Sequence, residues 1–162
     1  MLSQHRSASS ADDQLSVIDS LSALPFPEQE CGPGADWRWG GPGHHLAVLR
    51  ESQDFWDDRS VDVVEAAHRE VEADLAVLAA TLTSRWGNAE TVDLWPYLGF
   101  DTTGTDFTAS PPLDFLSGVA DSMRMWRLPN SERWLALAIG QADPEWPIQL
   151  LVAVGEAPSL RY

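Results

Sequence analysis

One long helix is predicted by residues 61–86, which read VDVVEAAHREVEADLAVLAATLTSRW. Apolar residues and one histidine recur there at steps of three and four, so they share one helix face: Val61, Val64, His68, Val71, Leu75, Leu78 and Leu82. Ser60 is a good N-cap residue, and Gly87 ends the helix. This apolar stripe must be buried against either a sheet or a second helix. Because the flanking charges give no coiled-coil pairing code, we predict packing on a sheet.

The last third of the chain is typical of an antiparallel meander. Three segments alternate in hydropathy or are apolar throughout: 121–128, 133–139 and 148–154. Turn-forming residues at 129–132 and 143–147 separate them. The middle segment is apolar on both faces, as expected of a central strand that a helix covers. We therefore predict an α+β fold, with one long helix packed on a three- to five-stranded antiparallel sheet; residues 45–49 and 91–94 are candidate short strands.

Composition divides the chain at residue 40. Residues 1–40 are predicted to be a flexible N-terminal extension, and residues 41–162 a single α+β domain. A short helix is predicted inside the extension by three apolar residues at helical spacing: Leu15, Ile18 and Leu21. Proline and glycine are frequent from Pro25 to Gly43, which predicts a loop there.

The charge of the chain excludes several functions. Asp and Glu number 25 against 10 cationic residues, all of them arginine, which gives a net charge of −15. Such a surface repels nucleic acid and anionic membranes and attracts basic proteins, so we predict a basic protein partner, no nucleic acid and no membrane. The absence of lysine excludes a P-loop lysine and a Schiff-base lysine.

The single cysteine and the N-terminus predict a cytoplasmic protein. Cys31 cannot form an internal disulfide, and residues 1–6 lack the features of a secretory signal. The acids around Cys31 disfavour a thiolate, so we predict that it is a poor nucleophile. The oligomeric state stays open, because the helix stripe can serve either a dimer or a sheet.

The histidines give no clear catalytic or metal site. His44 and His45 are adjacent on a candidate strand, so they point to opposite faces and cannot easily share one ion. His68 lies on the apolar stripe, where a core or boundary role is the default, although Glu65 and Glu72 are within reach of it. We predict no catalytic residue, no metal and no cofactor. The alternative is a hydrolase that uses Asp or Glu with one of these three histidines.

Two segments combine aromatic and acidic residues and are predicted to bind the partner. One is residues 54–58, directly before the long helix, and the other is residues 143–147, at a predicted hairpin turn. Tryptophan is enriched at binding hot spots, and carboxylates complement a basic surface. A hydrophobic staple in the first segment and a tryptophan folded back on the sheet in the second are the structural alternatives. The candidate residues are Asp54, Phe55, Trp56, Asp57, Asp58, Asp143, Glu145 and Trp146.

A resemblance rests on four runs of sequence: Leu82–Gly87, Leu94-Trp95, Met125–Arg127 and Arg133–Gln141. They resemble small, uncharacterised acidic proteins of actinobacteria over residues 45–156. That resemblance implies an α+β domain and no activity. The use of arginine without lysine also fits a GC-rich bacterial genome. In size and acidity the chain is similar to immunity proteins that neutralise bacterial toxins.

The function predicted from the sequence is therefore that of a non-enzymatic interaction module. It resembles an immunity protein or inhibitor that binds one basic protein. A hydrolase is the first alternative. A DNA mimic, in which carboxylates replace phosphates along one face, is the second; the even spread of acids along the chain disfavours it.

Overall fold

A computed structural model describes residues 11–32, 38–94, 112–129 and 131–156. These residues form three helices: α1 (Ala11–Ala23), α2 (Val61–Trp86) and α3 (Leu113–Val119). They also form six strands: β1 (Arg38–Gly41), β2 (His44–Glu51), β3 (Glu90–Asp93), β4 (Ser122–Arg127), β5 (Arg133–Gly140) and β6 (Gln149–Glu156).

The six strands form one antiparallel sheet in the order β1-β2-β6-β5-β4-β3. The predicted meander is present as β4, β5 and β6, and β2 pairs with β6 rather than with a sequence neighbour on that side. Helix α2 packs on this sheet. The predicted α+β fold is confirmed, with more strands than the three to five expected.

The additional strand comes from a region that the sequence predicts as loop. Gly41 and His44 are register partners, so Pro42 and Gly43 form a two-residue turn. Gly43 has φ = 79°, and proline followed by a residue of positive φ is the pattern of a type II turn. The glycines here belong to a hairpin, so strand β1 and its turn occupy the last part of the segment predicted as a loop.

The buried face of α2 differs from the predicted stripe. It consists of Ala67, Val71, Leu75, Leu78, Ala79 and Leu82. Val61 is 68% exposed and His68 is exposed, so the prediction that both lie on the core face is wrong. On the face that meets the sheet, Ala67 takes the place of the neighbouring His68. Val71, Leu75, Leu78 and Leu82 of the predicted stripe are buried. In the first turn, Val63 and Val64 are partly buried and pack against the core.

Helix α1 packs into the same core as α2. Its buried aliphatic residues are Val17, Ile18 and Leu21. The side chain of Gln14 donates to the carboxylate of Asp74 (3.0 Å), and Arg85 pairs with Asp19 (2.6 Å). The short helix predicted in the extension is thus present and docked on the domain. The division of the chain at residue 40 stays a prediction, which deletion of residues 1–24 would test.

The sheet has apolar residues on both faces. We call the side that meets α1 and α2 the helix face, and the side that meets α3 the α3 face. Leu135 and Leu137 of β5 lie on the helix face, whereas Trp134 and Ala136 lie on the α3 face. The predicted central strand with two apolar faces is confirmed. Trp134 is fully buried over Gly155, and its indole N–H donates to the carbonyl of Glu156 (2.9 Å).

Candidate partner-binding surface

The two acidic, aromatic segments lie side by side at one end of the sheet. Glu51 at the end of β2 and Gln149 at the start of β6 are register partners. Beyond the strands, the N–H of Phe55 donates to the carbonyl of Glu145 (2.9 Å). We call residues 54–58 and 143–146 the tryptophan surface. Segments that are far apart in the sequence are therefore joined by a main-chain bond directly before each tryptophan.

The aromatic residues of this surface take two different roles. Phe55 is fully buried in the core against the helix face, so it is not available as a partner anchor. Phe55 is therefore a core residue rather than part of the exposed surface. Trp56 is 62% exposed and Trp146 is 50% exposed. Two of the large apolar side chains that the described chain leaves exposed thus lie on adjacent loops.

Hydrogen bonds hold the loop that carries Trp146. Gln141 donates through Nε2 to the carbonyls of Trp146 (2.9 Å) and Pro144 (3.3 Å). The N–H of Trp146 donates to the carbonyl of Asp143 (2.9 Å) and closes a turn. A side chain on an ordered loop loses less conformational freedom on binding than one on a mobile loop. The sequence offers no pattern that identifies Gln141 in this role.

An ion pair joins the two loops through their side chains. Arg59 Nη1 lies 2.5 Å from Glu145 Oε2, and both side chains are partly exposed to solvent. An exposed pair of this kind contributes about 0–1 kcal/mol to stability. Its main effect is on charge, because Glu145 is neutralised by a cation that sequence analysis did not single out. Glu145 is consequently a weaker candidate for contact with a basic partner than the free carboxylates.

Asp58 takes over part of the capping role that the sequence assigns to Ser60. Ser60 occupies the N-cap position of α2, but its side chain makes no capping hydrogen bond. Instead, Asp58 Oδ1 accepts the N–H of Ser60 (2.9 Å). Hydrogen bonds from the Ser60 backbone and then from its side chain lower the pKa of Asp58. Asp58 is therefore an anion at neutral pH that the start of the helix holds in place.

Three carboxylates of the tryptophan surface are exposed and free. They belong to Asp54, Asp57 and Asp143. Within the described part of the chain, no hydrogen bond or ion pair engages any of these three carboxylates. Their charges are therefore unpaired, and the negative potential extends into solvent over roughly a Debye length. These carboxylates and the two tryptophans are the exposed groups of the tryptophan surface.

The adjacent histidines His44 and His45 are both buried and, as predicted, lie on opposite faces of the sheet. His45 Nε2 lies 3.1 Å from the carbonyl of Leu24, and its ring lies 5.1 Å from that of Phe26. Burial lowers the pKa of His45, and the nearby charge of Arg133 lowers it further. His45 therefore serves the fold, because it fastens the segment after α1 to β2.

His68 lies in an open groove between α2 and the strands β3 to β5. Its Nδ1 is 3.2 Å from Glu72 Oε1, and both residues line a groove of about 400 Å³ together with Asp121 and Arg124. Of the two roles expected of His68, core or boundary, the core role is wrong, since its side chain is 46% exposed. A histidine beside a carboxylate in a groove is the geometry that the hydrolase alternative requires.

Cys31 is exposed and free, and its Sγ donates to the carbonyl of Gln29 (3.4 Å). Among the residues that the structure describes, no cluster of three or more His, Cys, Asp or Glu is arranged to hold a metal ion. Within the same ranges, no helix has both the length and the apolar character needed to cross a membrane.

Comparisons with known proteins identify no relative of the chain. No protein-family model matches it, and searches of curated proteins and of solved structures found no match either. Geometry and charge are therefore the basis of the functional proposal.

Proposed function

We propose that the protein is a non-enzymatic interaction module of the cytoplasm that binds a basic protein through the tryptophan surface, in the manner of an immunity protein or inhibitor. One observation carries the proposal. The main-chain bond between Phe55 and Glu145 unites two acidic segments and places an exposed tryptophan after each of its ends. Exposed tryptophans that are ringed by carboxylates have the composition of a hot spot for a basic surface.

The charges and the tryptophans supply different parts of the binding. A net charge of −15 accelerates encounter with a basic protein through long-range attraction, and this effect falls steeply with ionic strength. Trp56 and Trp146 supply apolar area that is desolvated only after contact, which slows dissociation. We therefore expect salt to act mainly on the association rate and tryptophan removal mainly on the dissociation rate.

The first experiment compares three immobilised baits in a native extract at low salt. They are the wild type, the double variant Trp56→Ala/Trp146→Ala, and the control Leu24→Ala/Val77→Ala, which truncates exposed apolar residues elsewhere (42% and 52% exposed). Mass spectrometry should show one basic protein on the wild type and the control, eluted by high salt, and absent from the tryptophan variant. Equal retention by the tryptophan variant refutes this surface, and a bait without any basic partner refutes the function.

Binding kinetics with the recovered partner then test whether charge sets the association rate and the tryptophans set the dissociation rate. The tryptophan variant should bind at least about 30-fold more weakly, which corresponds to a hot spot of about 2 kcal/mol. The variant Asp54→Asn/Asp57→Asn/Asp143→Asn should slow association more than Asp12→Asn/Glu28→Gln/Glu132→Gln. Both triple variants remove three charges from exposed positions. Equal effects of the two would mean that net charge alone, rather than this surface, attracts the partner.

A second candidate function, hydrolysis, is favoured by the groove that holds His68 and Glu72. With Nδ1 paired to Glu72, the other imidazole nitrogen of His68 is available as a general base toward a bound water. A panel of ester, amide and phosphoester substrates tests this possibility. Turnover that His68→Gln abolishes and Arg69→Gln leaves intact supports it. Turnover that both variants keep places the activity elsewhere.

A further inference from the structure

A cavity of about 420 Å³ opens on the α3 face, at the hairpin end of β2. It lies at the opposite end of that strand from the tryptophan surface. Its size falls within the range of small-molecule sites, about 300–1,000 Å³. The lining residues that matter here are Glu30, Cys31, Trp39, His44, Asp114 and Phe115.

His44 lines this cavity with an imidazole ring. The residue is only 4% exposed, and its Nδ1 lies 3.4 Å from the carbonyl of Pro42. A carbonyl oxygen can only accept, so Nδ1 carries the hydrogen in that contact, and Nε2 of the neutral ring keeps its lone pair. Among the described residues, Nε2 has no hydrogen-bond partner. Nε2 is therefore available to a hydrogen-bond donor that enters the cavity.

Gly41 makes room for His44 and a carboxylate to approach one another. A Cβ on Gly41 would lie 2.8 Å from Cε1 of His44 and 2.9 Å from Cγ of Glu30. The imidazole of His44 and the side chain of Glu30 therefore both pack against Gly41. Within the described chain, no hydrogen bond or ion pair engages the carboxylate of Glu30.

Asp114 adds a second negative charge, and two aromatic rings form an apolar wall. Asp114 Oδ1 accepts the N–H of Phe115 (2.7 Å), which fixes the carboxylate at the start of α3. The rings of Trp39 and Phe115 meet edge to face, with centroids 5.3 Å apart and an angle of 82°. No arginine is among the described residues that line the cavity.

We propose that this cavity binds an organic cation, a primary ammonium or guanidinium group on a short apolar stem. The carboxylates of Glu30 and Asp114 and the free nitrogen of His44 accept hydrogen bonds. The aromatic faces attract a cation and cover its stem. An anion finds no charged donor among the described lining residues. The cation can be a free small molecule or an arginine or lysine side chain of another protein; either source presents the same chemistry.

The test is calorimetric titration of the full-length protein with n-butylguanidinium, with the neutral n-butylurea as its matched control. We expect saturable binding of the cation and at least tenfold weaker binding of the urea. Glu30→Gln/Asp114→Asn should weaken cation binding by tenfold or more. Gly41→Ala should do the same by displacing His44, whereas Gly118→Ala, whose added Cβ meets nothing within 4 Å, should leave it unchanged. Equal affinity for the urea, or unchanged affinity in the double variant, overturns the proposal.

Cys31 gives a second readout. It is the single cysteine of the chain, it is exposed, and it lines the cavity, so a bound cation should slow its alkylation by N-ethylmaleimide. Saturating n-butylguanidinium should lower the alkylation rate several-fold, and n-butylurea should not; equal rates with both contradict the site. N-acetylarginine methylamide distinguishes the sources: protection by it favours a protein side chain, and protection by the free cation alone favours a small molecule. Trp56→Ala/Trp146→Ala should leave protection unchanged, which separates this site from the proposed partner surface.

Discussion

The two ends of β2 combine similar residues in opposite ways. At the Glu51 end, Trp56 and Trp146 stand out into solvent among free carboxylates. At the His44 end, Trp39 is half-buried against an aromatic partner, and the carboxylates line a cavity. The first arrangement suits a large, complementary surface, and the second suits a group that enters the protein.

The difference follows from where glycine occurs. Gly41 and Gly155 flank His44 in the sheet, and the missing side chains leave space that His44 and Trp134 occupy. No glycine occurs at residues 50–60 or 143–148. The bulky side chains there lie either in the core or in solvent. Identical residue types can therefore form a surface or a pocket, depending on which neighbouring positions lack a side chain.

The largest effect is expected from Phe55→Ala, compared with Trp56→Ala. Phe55 is fully buried, so its truncation should lower the free energy of unfolding by about 3–5 kcal/mol. Trp56 is 62% exposed, and its truncation should change stability by about 0.5 kcal/mol or less. Urea denaturation measures both. Similar losses for the two neighbours would contradict the assignment of one to the core and the other to the surface.

An intermediate effect is expected at the other end, from Gly155→Ala. The added methyl would collide with the indole of Trp134, and overpacking of this kind costs about 1–3 kcal/mol. Gly118→Ala on α3 is the control and should be neutral or slightly stabilising. In thermal denaturation, Gly155→Ala/Trp134→Phe should lose less stability than the sum of the losses in the two single variants. The smaller phenylalanine ring leaves room for the added methyl group. Strict additivity would mean that the two residues do not compete for this space.

The smallest effect is expected from the pH dependence that His45 contributes. Burial lowers its pKa in the folded state, so the fold favours the neutral ring. The contribution of His45 is complete above the unfolded pKa of about 6.5 and is lost as the pH falls through the lower folded value. Urea denaturation at pH 7.5 and 5.5 should show a smaller loss in His45→Gln than in the wild type. His68→Gln is the exposed control and should lose as much stability as the wild type between these two pH values. If His45→Gln also loses as much stability as the wild type, His45 does not contribute this pH dependence.

The elements with strong local patterns were predictable from the sequence. Helix α2 and strands β4 to β6 follow from hydropathy periodicity and turn residues, because burial on one or both faces dictates those periods. The β1–β2 hairpin was not predicted. Glycine occurs in loops as well as in hairpins, and the close approach of His44 and Glu30 to Gly41 is visible only in the structure. The exposure of Val61 was also missed, because a valine satisfies the helical period whether or not it is buried.

The candidate surface was predictable only as two separate segments. Aromatic and acidic composition singled out both, and the sequence contains no signal that β2 and β6 are neighbours. Their pairing is what joins the loops. Phe55 and Trp56 look alike in sequence, and only the direction of the chain after β2 separates core from surface. The cavity was missed because its lining comes from residues around 30, 44 and 114, and no motif links these positions.

The hydrogen bond between Phe55 and Glu145 has a consequence for the order of folding. These residues are 90 positions apart, and contacts of such high sequence separation form slowly and late in folding. Strand β6 must be synthesised and paired beside β2 before the two tryptophans come together. A nascent or partly folded copy therefore displays only half of the surface. If the proposed partner requires both halves, it would bind only folded copies of the chain.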